Sequence, residues 1–164
     1  MRRHDGGRDI LADWCEEHHC IVQREVILPL AANRAEARMD LVVYTPDSAT
    51  PTYVDISIVT ALSHQALASG SAKHDGKASE IAGKGKRKDY PLINVTPFIV
   101  EDHGRFGSDA VSFLKQVAPS EAGARSKAMG DLYHRLAAFL QRTAADSILA
   151  AIGAQHGAGA ALAT

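Results

Sequence analysis

From Arg38 to Thr60 the chain reads Arg-Met-Asp-Leu-Val-Val-Tyr-Thr, a Pro-Asp-Ser-Ala-Thr-Pro turn, then Thr-Tyr-Val-Asp-Ile-Ser-Ile-Val-Thr. Two apolar, β-branched runs around a turn predict a β-hairpin. Each run carries one carboxylate, Asp40 or Asp55, where a buried strand ordinarily holds an apolar residue. An ionised carboxylate in such a place is costly unless something compensates it. A divalent cation shared by the two aspartates would do so, and the hairpin is therefore read as a metal site on a sheet. Side chains alternate along a strand. Asp40 then shares a face with Val42 and Tyr44, and Asp55 with Tyr53, Ser57 and Val59. Both runs are apolar on both faces, which predicts central strands covered on two sides.

The remaining elements read as support for this hairpin. Asp5 and Asp9 suit the start of a helix of roughly ten residues, with Ile10, Leu11, Trp14, Cys15 and His18 forming its apolar stripe. Cys20–Leu28 reads as a strand stopped by Pro29. Within it Glu25 has two readings, a solvent-facing strand residue or a third carboxylate near the metal. Ala31–Ala37 reads as a loop, and Ala61–Gly76 as a loop with room for a short helical turn. Lys77–Lys88 has helical composition despite Gly83 and Gly85, each costing up to ~1 kcal/mol against alanine. Helical spacing puts Ala82, Lys86 and Tyr90 on one face and Glu80, Lys84 and Lys88 on another, with Glu80 and Lys84 as a favourable pair. Asn94–Glu101 is a further strand, which Pro97 assigns to a sheet edge or a strand start. Ser108 is the expected cap of a helix over Asp109–Val117. A last helix starts near Glu121 and carries Leu132, Leu136, Phe139, Leu140 and Ile148. The whole reads as one α/β domain over residues 1–153, followed by a flexible Ala/Gly tail over 154–164 that should fray.

Composition narrows the partners. The formal net charge is −1 over 164 residues, so no global basic field recruits nucleic acid. Any such partner must be held locally, and the densest basic run is Lys84-Gly85-Lys86-Arg87-Lys88. The bland account of that run is a solvated helix face. Cys15-Glu-Glu-His18-His19-Cys20 looks like a packet of zinc ligands, but a second ligand pair at a usual spacing is missing. A core cysteine and a helix-end turn are the simpler account. No N-terminal apolar run suits a signal peptide or a membrane span, so an intracellular protein with reduced thiols and no membrane partner is expected.

Two acidic residues fifteen positions apart on adjacent strands, followed by a basic helix, resemble the PD-(D/E)XK nuclease superfamily. At a finer level the chain is similar to the endonuclease-like domain at the C-terminal end of non-LTR retroelement reverse-transcriptase polyproteins. That family opens with a His-Asp/Asn helix, where this chain has Arg3-His4-Asp5 and Arg8-Asp9, and continues with a strand ending in Glu, here Glu25. Its Arg-x-Asp-hydrophobic strand is matched by Arg38 to Leu41, its Val-Asp-hydrophobic-Ser by Val54 to Ser57, and its Lys-x-x-x-Tyr by Lys86 to Tyr90. Its Pro-Phe-x-Val-Glu is matched by Pro97 to Glu101, its Gly-x-x-Gly turn by Gly104 to Gly107, and its closing helix by Arg135-Leu136 and Leu140 to Arg142. The resemblance spans residues 3–150, and order and spacing carry it rather than any single motif.

The resemblance implies a restriction-endonuclease-like core: a mixed central sheet of about four strands flanked by helices, in αβββαβ order plus C-terminal helices. It implies a metal-dependent endonuclease hydrolysing DNA phosphodiester bonds, in a retroelement the nick that primes reverse transcription. Asp40 and Asp55 would hold Mg²⁺ or Mn²⁺ with the Ile56 carbonyl, and Glu25 would complete the metal shell or orient a water. The family's lysine two residues past the second acid is replaced here by Ser57, and Met39 stands where its proline would be. Lys86, ahead of Lys84 or Lys88, is the candidate substitute. Lys84, Arg87, Lys88 and Arg105 would touch the DNA backbone. The implied partners are DNA and a reverse-transcriptase module in the same polyprotein. A homodimer suits double-strand cutting, and the nucleus suits a eukaryotic retroelement. The alternative is a decayed module of the same fold that only binds nucleic acid or a protein partner.

Overall fold

The computed structural model describes residues 3–28 and 37–160, with side chains described through residue 152. The elements are α1 (Arg3–Glu17), β1 (Ile21–Leu28), β2 (Ala37–Tyr44), β3 (Thr52–Val59), α2 (His64–Ala68), α3 (Lys77–Asp89), β4 (Val95–Glu101), α4 (Ser108–Val117) and α5 (Ala122–Ala160). The strands form one mixed sheet in the order β1-β2-β3-β4. The first two pairings are antiparallel and the third is parallel. Parallel neighbours need a crossover, and the segment carrying α2 and α3 supplies it. The expected α/β architecture with a four-stranded sheet flanked by helices is therefore present. Pro97 lies in β4, which stands at the edge of the sheet beside β3, a place that tolerates its missing N–H.

Both faces of β2 and β3 are covered, as their apolar composition predicts. On one face Leu41, Val43, Val54, Ile56, Phe98 and Val100 pack under Leu11, Trp14 and Cys15 of α1, Phe113 and Leu114 of α4, and Leu132, Leu136 and Leu140 of α5. On the other, Met39, Val42 and Val95 pack with Tyr44, Tyr53, Tyr90 and Ile93. Helix α3 lies on this second face. A Cβ on Gly83 would sit 3.8 Å from Pro97 Cβ, and the Ser79 N–H donates to Glu101 Oε1 at 3.2 Å. Glu101 is buried and acts as a side-chain cap for α3, whose own N-cap is Gly76, which has no side chain.

Several boundaries differ from expectation. Helix α1 starts at Arg3 and runs 15 residues. Its end is the expected turn: His19 takes a left-handed φ of 64°, with the Cys20 N–H to Cys15 O at 3.0 Å and the His19 N–H to Glu16 O at 3.0 Å. That is a Schellman cap. Cys15 and Cys20 are free and buried, and burial pushes the Cys15 thiol far above its ordinary range. Ser108 is not the cap of α4. Gly107 is, and a Cβ there would lie 3.3 Å from Ser79 Cβ, so the turn into the helix uses the glycine. Helix α5 runs from Ala122 to Ala160. Pro29 and most of the predicted 31–37 loop lie outside the described residues, while Ala37 already belongs to β2. No described helix is long and apolar enough to cross a membrane.

Candidate functional site

The β2–β3 ladder pairs Val43 with Thr52, Val42 with Tyr53 and Leu41 with Val54, and then stops. Asp40 and Asp55 are the next residues along the two strands, and the Asp40 carboxylate is near enough to raise that of Asp55, so two carboxylates meet where backbone pairing ends. The Ile56 N–H donates to Asp40 Oδ2 at 2.7 Å. A second donor, His4 Nε2, reaches the same oxygen from α1 at 3.0 Å. A carboxylate oxygen accepts, so His4 serves Asp40 in the tautomer that carries a proton on Nε2.

Asp55 is 3% exposed. Lys86 Nζ of α3 stands 2.8 Å from its Oδ2, close enough for an ion pair, yet the angles of a directed hydrogen bond are not met and this oxygen is otherwise without a donor. Burial, and after it the neighbouring Asp40 carboxylate, push the Asp55 carboxyl up to about 6, against the pull of Lys86. Burial alone would lower the Lys86 ammonium, but its contact with Asp55 outweighs that and raises it. Tyr90, one turn further along α3, donates to the Arg38 carbonyl at 3.4 Å. Its phenol is raised by burial and then by the charge of Asp55.

Glu25 occupies the place in β1 that faces Asp40, between the pairs Arg24–Leu41 and Val26–Met39. Its backbone is left-handed, φ 55°, a conformation non-glycine residues adopt only when the surroundings hold it. Its carboxylate forms ion pairs with Arg8 of α1 and Arg38 of β2. The Arg38 contact is the main cause holding it below the usual carboxylate range. Glu25 is thus an exposed strand residue tied to two arginines. Among the described residues no three His, Cys, Asp or Glu side chains converge into a ready cation cage. The acidic cluster is a pair, with a lysine on one member and a histidine on the other.

The nominated basic residues spread along α3 and beyond it. Lys84 pairs with Glu80 at 2.6 Å, Arg87 with Asp109 at 2.5 Å and Arg105 with Asp75 at 2.8 Å. Lys88 is exposed. Helical spacing puts Tyr90 on the Lys86 face without assigning it a role, and nothing in the spacing shows that His4, at the start of α1, reaches the end of the β2–β3 ladder.

The donor set is all oxygen, which suits a hard divalent cation. A buried oxygen of Asp55 without a directed donor, beside a second carboxylate, fits such an ion on charge and on ligand type. No family model matches the chain, and no curated protein matches it.

Proposed function

We propose that this chain is a metal-dependent endonuclease with a restriction-endonuclease-like core, hydrolysing DNA phosphodiester bonds. The observation that supports it best is the closeness of Asp40 and Asp55 at the end of the β2–β3 ladder, with the Lys86 ammonium on Asp55. Asp40, Asp55 and the Ile56 carbonyl would hold Mg²⁺ or Mn²⁺. When bound, such an ion polarises a phosphoryl oxygen and lowers the pKa of a coordinated water.

The chain's own groups then have separable tasks. Lys86 can donate to the attacking water or to charge developing on the phosphate, and in a buried site such a donor acts at low dielectric. It reaches Asp55 from α3, a route that does not need a lysine at Ser57. The Ile56 N–H and His4 fix Asp40. Lys88 is exposed for a backbone phosphate, while Lys84, Arg87 and Arg105 would exchange their carboxylate partners for phosphates, giving binding that weakens with salt. In a retroelement the product would be the target nick, with a reverse-transcriptase module as partner.

Plasmid nicking tests the reading. Relaxation of supercoiled DNA that requires Mg²⁺ or Mn²⁺, stops with EDTA, and is lost in folded Asp40→Ala and Asp55→Ala proteins supports it. No nicking by the unmodified protein, with DNA binding retained, overturns it in favour of a module that only binds.

A further inference from the structure

Asp40 is the more constrained of the two carboxylates. Its Oδ2 accepts both the Ile56 N–H at 2.7 Å and His4 Nε2 at 3.0 Å. Neither of these two donors uses Oδ1. The other ring nitrogen of His4, Nδ1, lies 3.5 Å from Asp5 Oδ1. The two helices that serve the pair lie on opposite faces of the sheet, α1 with His4 and α3 with Lys86.

A carboxylate with one oxygen taken by two donors has one oxygen left to give. We propose that His4 is a positioning residue that makes Asp40 a one-oxygen ligand, and so favours a small octahedral cation over Ca²⁺. This rests on the reading of Asp40 and Asp55 as the cation site. The chemistry behind the preference is general. Mg²⁺ demands near-octahedral geometry with short bonds, which single oxygens provide, whereas Ca²⁺ takes more ligands at longer range and readily accepts both oxygens of one carboxylate. Groups that orient metal-binding residues through hydrogen bonds typically change affinity 10–100-fold when removed. Without His4, the Ile56 N–H alone holds Oδ2, and the carboxylate can turn to offer both oxygens.

The test is direct cation binding by the full chain, measured calorimetrically with Mn²⁺ and with Ca²⁺ in the absence of DNA. In His4→Ala the Mn²⁺ affinity should fall about 10-fold or more while Ca²⁺ affinity holds or rises, so the ratio collapses. In His4→Gln the amide nitrogen takes the place of Nε2 and should restore most of the Mn²⁺ affinity and the ratio. Thermal unfolding in EDTA should be alike for all three proteins. Unchanged Mn²⁺ affinity and ratio in His4→Ala, with binding abolished in Asp40→Ala, overturns the role of His4 and leaves the cation site standing. A loss that His4→Gln does not restore also overturns it. Mn²⁺ binding indifferent to Asp40→Ala, or no binding by the unmodified protein, overturns the cation site itself and the role of His4 with it.

Discussion

Asp40 and Asp55 are the next residues beyond the last β2–β3 pair, Leu41 with Val54, and their carboxylates lie close together. Like charges directly opposite across two strands destabilise a sheet. Here the ladder ends before them, and a side-chain acceptor, Asp40 Oδ2, replaces the lost backbone partner of Ile56. The Lys86 ammonium offsets one of the two charges. The protein without a cation therefore carries an electrostatic cost at the place where the proposed chemistry occurs.

That cost has a definite pH dependence. The Asp55 carboxyl is raised from 3.8 to about 6, by burial first. A carboxyl whose folded pKa lies above its unfolded value binds its proton more tightly when folded. Stability is then whole below the unfolded value, falls as pH rises from 3.8 towards 6, and stays low above that. At one pKa unit per 1.36 kcal/mol the full effect is on the order of 3 kcal/mol. In EDTA, Asp55→Asn should match the parent protein near pH 4 and exceed it by about that amount at pH 7. Denaturant melts at both pH values check this; an equal offset at the two would remove Asp55 as the cause.

A bound cation should reverse the deficit. At a concentration 100 times its dissociation constant, a ligand specific for the folded state adds about 2.7 kcal/mol. For a chain of this size that raises Tm by roughly 5–10 °C. Mn²⁺ should produce this shift in the parent protein and none in Asp55→Asn. Differential scanning calorimetry with and without Mn²⁺ reads both.

Lys86 and Lys84 are two residues apart on α3 and should behave as opposites. Lys86 is 28% exposed at the side chain and sits on buried Asp55; Lys84 is 71% exposed and sits on Glu80. Losing a positioned charge donor to a developing oxyanion typically costs 10²–10³ in kcat. Lys86→Ala should therefore lower kcat for nicking by about that factor with little change in KM. Lys84→Ala should leave kcat alone and weaken DNA binding, most at low salt and with a shallower salt dependence. Single-turnover nicking on the two variants separates the cases.

Much of this was legible in the sequence because alternation and turn chemistry are local. The hairpin, the edge position of the Pro97 strand, the Lys77 helix and the shared face of Lys86 and Tyr90 follow from spacing alone. So does the proximity of Asp40 and Asp55, once the hairpin register is known. The partners of Glu25 were not legible. Arg8 comes from α1 and Arg38 from β2, and the left-handed backbone at Glu25 breaks the alternation from which its direction would be read. His4 on Asp40 was hidden for a similar reason, since it depends on how α1 lies across the sheet. The Gly107 cap was missed because a serine follows it, and the contact with Ser79 that favours glycine is long-range.

Glu101 should prove a stability residue of α3. It is buried, takes the Ser79 N–H, and contacts His103 Nε2 at 3.3 Å. Truncation removes a helix cap and strands a donor, so Glu101→Ala should cost about 1–2 kcal/mol. Hydrogen exchange should show the loss first at the amides of the opening turn of α3, ahead of those in β2. Uniform loss across the sheet would instead assign Glu101 to the global core.

Two glycines make the reverse case in one experiment. Gly85 lies inside α3 with nothing within 4 Å of an added Cβ. Nothing in the packing needs a glycine there, and Gly85→Ala should stabilise the protein by about 1 kcal/mol. Gly6 lies inside α1, where a Cβ would fall 2.3 Å from Phe139 Cζ of α5. Gly6→Ala gains the same helical propensity but drives a methyl into a half-buried ring, and overpacking of that kind costs about 1–3 kcal/mol. Gly6→Ala should therefore destabilise, and adding Phe139→Ala should recover part of the loss, a coupling that two independent sites would not show. Because Gly6 is two residues from His4, the same substitution should also weaken Mn²⁺ binding, whereas Gly85→Ala should not. Chemical denaturation paired with Mn²⁺ titration of the two variants decides whether the seat of α1 against α5 also sets the hold of His4 on Asp40.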